Sequence, residues 1–218
     1  MHSKMNKFIH TIASGVMALA AVMAMTAPTV SAAEVEIYDL SLDDNLETPE
    51  IKNSKVSQKV QDYQYEVAVQ LKKANYDVEL MRDNEVIVIT IPAGQLFNPN
   101  DTVVNSLGKV SLKPLTRYLR NPGFYKMLLV MHTDNTGSDK YTLNLSRSRV
   151  NAVFDWFEAN ASVDFLVPYA LGATDPAIDN NSMDNRKRNR RLEVFLVPDK
   201  VMINQAKKGR IDINYIGK

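Results

Sequence analysis

Two residues of opposite charge, Asp134 and Arg149, are placed where a ligand could use both. Asp134 sits in a polar loop, His132–Gly137, directly after the apolar run Met127–Val130. Arg149 falls on a helical stripe with Leu145, Ala152, Val153 and Trp156, one turn after Leu145 and one turn before Val153. A guanidinium on a core-facing stripe is costly unless it is paired or serves a ligand. A carboxylate beside a guanidinium complements an ammonium beside a carboxylate, and Arg can hold the carboxylate through two hydrogen bonds. Each such charge-assisted bond contributes roughly 1.5–3 kcal/mol. The same spacing also fits a structural Asp–Arg salt bridge with no ligand, so the residues alone leave both readings open.

Other chemistries have few residues to work with. The 218-residue chain has no Cys, which excludes a disulfide scaffold, a thiol nucleophile and a cysteine metal site. Of its three His, His2 and His10 lie in the amino-terminal leader, and His132 alone cannot build a multi-histidine zinc site. No Gly-x-Ser-x-Gly elbow, phosphate loop or Gly-rich dinucleotide turn occurs in a chain with 8 Gly. No catalytic residue, metal or cofactor is expected. The formal net charge is +1, and it becomes −1 without Lys4 and Lys7 of the leader, so nothing draws the chain to nucleic acid.

The elements that must position the pair can be read from periodicity. Met127–Met131 is short, apolar and bounded by Gly123 and polar turn residues, as a buried strand is. Asp77–Met81 and Val86–Thr90 flank the polar turn Arg82–Glu85 and predict a hairpin. The nearly continuous apolar run of its second strand predicts burial on both faces. Thr102 is placed to cap a helix from about Val103 to Leu119, with Val104, Leu107, Val110, Leu112, Leu115 and Leu119 as its buried side. Asp164–Leu171 and Leu192–Val197 read as further strands. The fold class is α/β, a mixed sheet covered by helices.

With the elements in place, the order Thr133-Asp134-x-x-Gly137, Tyr141, Leu145-Ser146-x-x-Arg149 resembles the peptidoglycan-binding domain of the outer-membrane protein A family. That family also includes the peptidoglycan-associated lipoprotein and the flagellar stator protein. The resemblance runs from roughly Val86 to Pro198, about half the chain. It implies that Asp134 and Arg149 hold the diamino acid of the peptidoglycan stem peptide, with Thr133 in the same motif. It makes Asn100, in Phe97-Asn98-Pro99-Asn100, a further candidate, although a turn Asn ahead of a helix reads the same way. His132 and Gly137 would shape the loop. Eight residues after the acid the family has Asn and this chain has Thr142, which lacks the amide's reach and second group. The Asn185–Arg191 run, NRKRNRR, matches an Asn-Arg-Arg element before the family's last strand. It reads as a solvated helix end with Arg190 or Arg191 pairing to acids at the core edge, or as a general attraction to peptidoglycan carboxylates.

Residues 1–33 read as a signal peptide. Lys4, Lys7 and His10 precede the apolar run Ile12–Met25, and Val30-Ser31-Ala32-Ala33 offers a cleavage site. A retained anchor is the alternative, but the run is short of the ~20 residues a span needs. Residues 34–53 read as a flexible acidic lead-in, with no loop-type calcium spacing. Residues 54–76 hold an amphipathic helix with the stripe Val56, Val60, Tyr63, Val67, Leu71 and Ala74. That stripe either packs on the domain or forms a homodimer seam. The domain itself spans 77–198. The 199–218 extension suggests a short helix, then a strand around Ile211–Tyr215. The expected function is non-covalent binding of peptidoglycan at the periplasmic or outer-membrane face of the envelope. The alternative is an envelope interaction protein with a vestigial pocket, recruiting a protein partner through the 54–74 helix.

Overall fold

The computed structural model describes residues 40–211. The expected leader and the strand expected around Ile211–Tyr215 fall outside those residues, except for Ile211 itself. Five strands form one sheet in the order β1-β2-β5-β3-β4. They are β1 (Asp77–Met81), β2 (Val86–Pro92), β3 (Tyr125–His132), β4 (Leu166–Gly172) and β5 (Arg191–Pro198). The expected hairpin is β1–β2, paired from Asp77↔Thr90 to Met81↔Val86. Its turn takes positive φ at Arg82, Asp83 and Asn84. β3 lies antiparallel to β5 and parallel to β4. A parallel neighbour needs a crossover, and α5 (Asp139–Glu158) supplies it.

Every residue of β3 is buried, because both faces of the sheet are covered. Alternation sends Met127, Leu129 and Met131 into one core with Ile87, Ile89, Leu192, Val194 and Leu196. Leu128 and Val130 go to the other face with Val88, Val167, Phe195 and Val197.

The first face is closed by α2 (Ser54–Lys73), capped by Asn53, whose side chain accepts from the amides of Lys55 and Val56. Val56, Val60, Tyr63, Gln64, Val67, Ala68 and Leu71 are its buried residues. The stripe therefore packs on the domain, the first of its two readings, and is not free to form a homodimer or partner seam; Ala74, at its end, is exposed. α7 (Lys200–Lys207) packs beside α2 and provides the short helix expected after the last strand.

The second face shows that the 34–53 lead-in is not a free tether over its described part. Residues 42–47 form α1 (Leu42–Glu47), capped by Ser41, and Leu42 and Leu46 pack on the second core. Asn45, fully buried, donates to the Tyr169 hydroxyl at 2.6 Å, and that hydroxyl donates to Leu40 O at 3.0 Å. Lys126 Nζ donates to Thr48 O at 2.8 Å. Arg82 donates to Leu46 O at 2.8 Å and Pro49 O at 3.2 Å. Residues 40–53 thus form a strap whose carbonyls accept from side chains of β4, β3 and the β1–β2 turn, which the acidic, Pro-containing sequence did not reveal. The Thr48–Pro49 bond is cis.

The expected helix 103–119 is also divided. After the short α3 (Ala93–Leu96), Asp101 Oδ1 accepts from the amides of Thr102 and Val103 and turns the chain, so α4 (Ser106–Leu112) begins later, capped by Asn105. Pro114 has no N–H to extend an α-helix, and Lys113–Leu119 tightens to a 3-10 helix. Val104, Leu112, Leu115 and Leu119 are buried as expected, but Leu107 and Val110 face solvent.

Candidate functional site

Four chain segments meet at the carboxyl end of β3. They are the loop after β2, the loop after β3, the end of β4 and the start of β5. A register shift between Met131 and His132 sets His132 opposite Gly172 and re-aims the chain as it leaves the sheet. Thr133 N then donates to Gly172 O at 2.7 Å, and Thr133 Oγ1 donates to Asp134 O at 3.0 Å. Thr133 is buried and positions the acid. Asp134 Oδ1 accepts from Thr136 N at 2.8 Å, so the loop folds around its own carboxylate. Gly137 has φ +104°, and a Cβ there would lie 2.8 Å from the Tyr141 ring. The positive φ favours glycine, and any side chain there would have to push the Tyr141 ring aside. Ser138 caps α5 by accepting from Tyr141 N.

The side of α5 that faces the sheet carries Thr142, Ser146, Arg149, Val150, Val153 and Phe157. Leu145, Ala152 and Trp156, assigned to the stripe from spacing, lie on its half-buried margin. Arg149 is on the buried face as expected. Ser146 ties this helix to β4: its hydroxyl accepts from Gly172 N at 3.0 Å and donates to Leu143 O at 2.9 Å.

The pairing expected inside the site is different. Asp134 Oδ2 accepts from Arg190 Nη1, and Arg149 is not its ion-pair partner. Arg149 Nε donates to Asp101 O at 2.9 Å, and its guanidinium carbon lies 5.0 Å from the centroid of the buried Phe97 ring. Arg149 is 5% exposed and Asp134 is 6% exposed. Among the described residues, the two terminal nitrogens of Arg149 donate no hydrogen bond. The reason for the exchange is reach. The loop after β2 brings a carbonyl to Arg149, while Arg190 arrives beside Asp134 from the end of α6 (Met183–Asn189).

The electrostatics follow from these contacts. Burial opposes ionisation of Asp134, but the hydrogen bonds from Thr136 and the Arg190 charge outweigh it and hold its carboxyl below the usual carboxylate range. Burial pulls the Arg149 pKa down, Tyr141 pushes it up, and the nearby Arg190 charge lowers it further; Asp101 and Asp134 act the other way. The Asp101 carboxyl is lowered by the amides of Val103 and Thr102.

His132 is buried on the second face, its Nε2 3.3 Å from Glu193 Oε2. Glu193 Oε1 accepts from Arg191 Nε at 2.7 Å. Burial raises the Glu193 pKa, and the His132 and Arg191 contacts overcome that and bring it down to about 2. Arg191 also lies against Asp175. Asn189, fully buried, donates to Ile178 O at 2.7 Å and accepts from Ile178 N at 3.1 Å, pinning the loop before α6. The Asn189-Arg190-Arg191 run thus divides its work. Asn189 holds a loop, Arg190 meets the site acid and Arg191 meets core-edge acids. This is the pairing read for Arg190 or Arg191, realised by both.

Two candidates stand apart from the charge pair. Asn100 is exposed with φ +58°, as a turn residue next to the Asp101 whose carbonyl holds Arg149. Thr142 is buried, and its hydroxyl donates to Asp139 O at 3.0 Å within its own helix. Phe97, Asp101 and Tyr141 belong to the site and were not singled out for it. Phe97 and Tyr141 were visible in the sequence only as motif neighbours, and the role of the Asp101 carbonyl had no signal there. No cluster of three or more His, Cys, Asp or Glu suited to a metal occurs among the described residues. No described helix is long and apolar enough to cross a membrane.

The OmpA family model matches residues 96–190, somewhat under half of the chain. The chain is 29% identical over 114 residues to outer membrane protein A of Escherichia fergusonii, covering 51% of this chain and 46% of that protein. The match thus spans less than half of that relative's length. In fold it is similar to a MotB-like protein from Desulfovibrio vulgaris, with a TM-score of 0.58 at 21% identity over 66% of this chain and 97% of that one. It is also similar to the cell wall anchor of the type VI secretion system from Pseudomonas aeruginosa, with a TM-score of 0.52 at 24% identity over 63% and 97%.

Proposed function

We propose that this protein binds peptidoglycan non-covalently in the periplasm, taking the zwitterionic end of a diaminopimelate-type stem peptide between Asp134 and Arg149. The observation that carries the reading is Arg149, a residue only 5% exposed, with neither terminal nitrogen donating to a described residue. A guanidinium removed from water without a carboxylate of its own is an unfilled receptor for one, and its two parallel N–H groups suit a carboxylate in bidentate contact. Asp134, held ionised close by, suits the ammonium. The match to the OmpA family model and the fold similar to that of a cell wall anchor support the same reading. The leader expected in residues 1–33 is consistent with export to the compartment where that ligand lies. A partner-recruiting role for the 54–74 helix loses its surface, because the apolar stripe is buried in the core.

The test is co-sedimentation of the mature protein with purified sacculi, for wild type, Asp134→Ala and Arg149→Ala. Loss of either charge should weaken binding by roughly 2–4 kcal/mol and abolish pelleting, with circular dichroism unchanged. Equal pelleting of all three would replace the pocket with diffuse charge attraction. Absence of pelleting by wild type would end the peptidoglycan reading.

A further inference from the structure

We propose that Arg190 is a built-in competitor for the ammonium seat at Asp134, and that it confines the site to ligand ends that carry a free carboxylate beside the ammonium. The proposal rests on the stem-peptide reading above and adds a selection rule to it.

Both oxygens of Asp134 are already engaged, Oδ1 by the Thr136 amide and Oδ2 by Arg190. Thr136 belongs to the loop's own turn and stays in place. An incoming ammonium at Oδ2 competes with Arg190 for the charge and the lone pairs of that oxygen. The Arg190 side chain can be displaced: it is 37% exposed and donates no second side-chain hydrogen bond among the described residues. Its main chain is fixed on both sides, N–H to Arg186 O at 3.1 Å and C=O from Ala93 N at 2.9 Å. The side chain can therefore turn while the backbone holds.

What happens next depends on the ligand. An end with an ammonium alone exchanges one cation for another at Asp134. It leaves Arg190 without an acceptor, close enough to Arg149 for the two like charges to repel. Such an exchange gains nothing from the pair it breaks. An end with an ammonium and a carboxylate brings a new acceptor into the space between the freed Arg190 and the unengaged fork of Arg149. The carboxylate is then a condition for entry. The chemical class selected is a stem peptide whose third residue ends in an unmodified α-amino carboxylate. A peptide in which that carboxyl is amidated, or in which lysine replaces the diamino acid, binds more weakly.

The test uses the full mature chain and three soluble L-Ala-γ-D-Glu tripeptides that differ only at the third residue: diaminopimelate, its distal amide, and lysine. Calorimetric titration of wild type should show the free acid binding at least about 10-fold tighter than either of the others, the worth of one charge-assisted pair. In Arg190→Gln that ratio should shrink about 5-fold or more, chiefly because the amide and lysine peptides bind tighter. Arg190→Lys, which keeps a competing cation, should retain most of the selectivity. A ratio unchanged in Arg190→Gln, or an equal weakening of all three peptides, overturns the competitor role and leaves the stem-peptide reading standing. Wild type that binds the three equally does the same. If wild type binds none of them, the stem-peptide reading fails and the proposal falls with it.

Discussion

Arg149 and Asp134 share one site without touching as an ion pair: Arg190 meets the acid, and Arg149 is held instead by the Asp101 carbonyl and the Phe97 ring. The arginine on the buried face of α5 therefore carries a desolvation cost that the nearby Asp101 and Asp134 charges offset only in part. Binding sites store such costs when the ligand supplies the missing partner.

A separation of stability from binding follows. Arg149→Met fills much the same volume and removes the buried charge, at the loss of one hydrogen bond to Asp101 O. We expect its unfolding midpoint to stay within about 1 kcal/mol of wild type or to rise, while sacculus binding is lost. Thermal unfolding and co-sedimentation on the same preparation check both halves. A variant that unfolds several kcal/mol more easily would make Arg149 a structural residue.

Much of this architecture was legible before the structure because local and global signals agree there. The hairpin limits, Asp77–Met81 and Val86 onward, came from polar φ-permissive turn residues between apolar runs. β3 came from its apolar run, and Arg149 was correctly placed on a buried helix face. What failed was decided by contacts distant in sequence. Leu107 and Val110 read as core but are exposed, because Pro114 and the Asp101 turn change the helix phase. Leu145 and Trp156 drew the α5 stripe too far to one side, because Thr142 and Ser146 are buried polar residues that apolar periodicity does not count. The strap carries acids and a proline, and only Tyr169, Lys126 and Arg82, far along the chain, show why it is ordered. In the site, type and spacing identified the two charges, but spacing cannot say which arginine reaches the acid.

The strap should be separable from the rest by a small chemical change. Asn45 is fully buried and gives its amide to Tyr169. Asn45→Leu would set an apolar side chain against that hydroxyl and leave it without its donor. We expect a cost of about 1–3 kcal/mol, felt first as faster proteolysis between residues 40 and 53. Limited proteolysis followed by mass spectrometry reads this directly. Uniform protection identical to wild type would show that Leu42 and Leu46 hold the strap unaided.

Glu193 gives the domain an acid-sensitive component. Its folded pKa of about 2 lies below the ordinary 4.5, so the unfolded chain binds more protons between those values. The contribution is complete above pH 4.5 and is lost as pH falls through 2. Urea midpoints taken from pH 5 to pH 2.5 should fall more steeply for wild type than for Glu193→Gln. Parallel curves would mean that His132 and Arg191 do not hold the carboxylate ionised.

Lys126 is shifted in the same direction in the basic range, but there it is the charged form that is disfavoured, by burial. It is 2% exposed under the strap, and burial, opposed by Asp199 and reinforced by Arg82, brings its pKa down to about 8 from 10.5. Between those values the unfolded chain holds a proton that the folded chain has shed, so stability rises with pH across the window. Below pH 8 the buried ammonium is a standing cost, relieved in part by its bond to Thr48 O. Lys126→Met should therefore flatten the stability profile between pH 8 and 10.5 and narrow the difference from wild type as pH rises. Urea denaturation at pH 7, 9 and 10.5 measures this. If wild type and variant run parallel across that range, the Lys126 ammonium is solvated through the strap, and the clasp at Thr48 is open in solution.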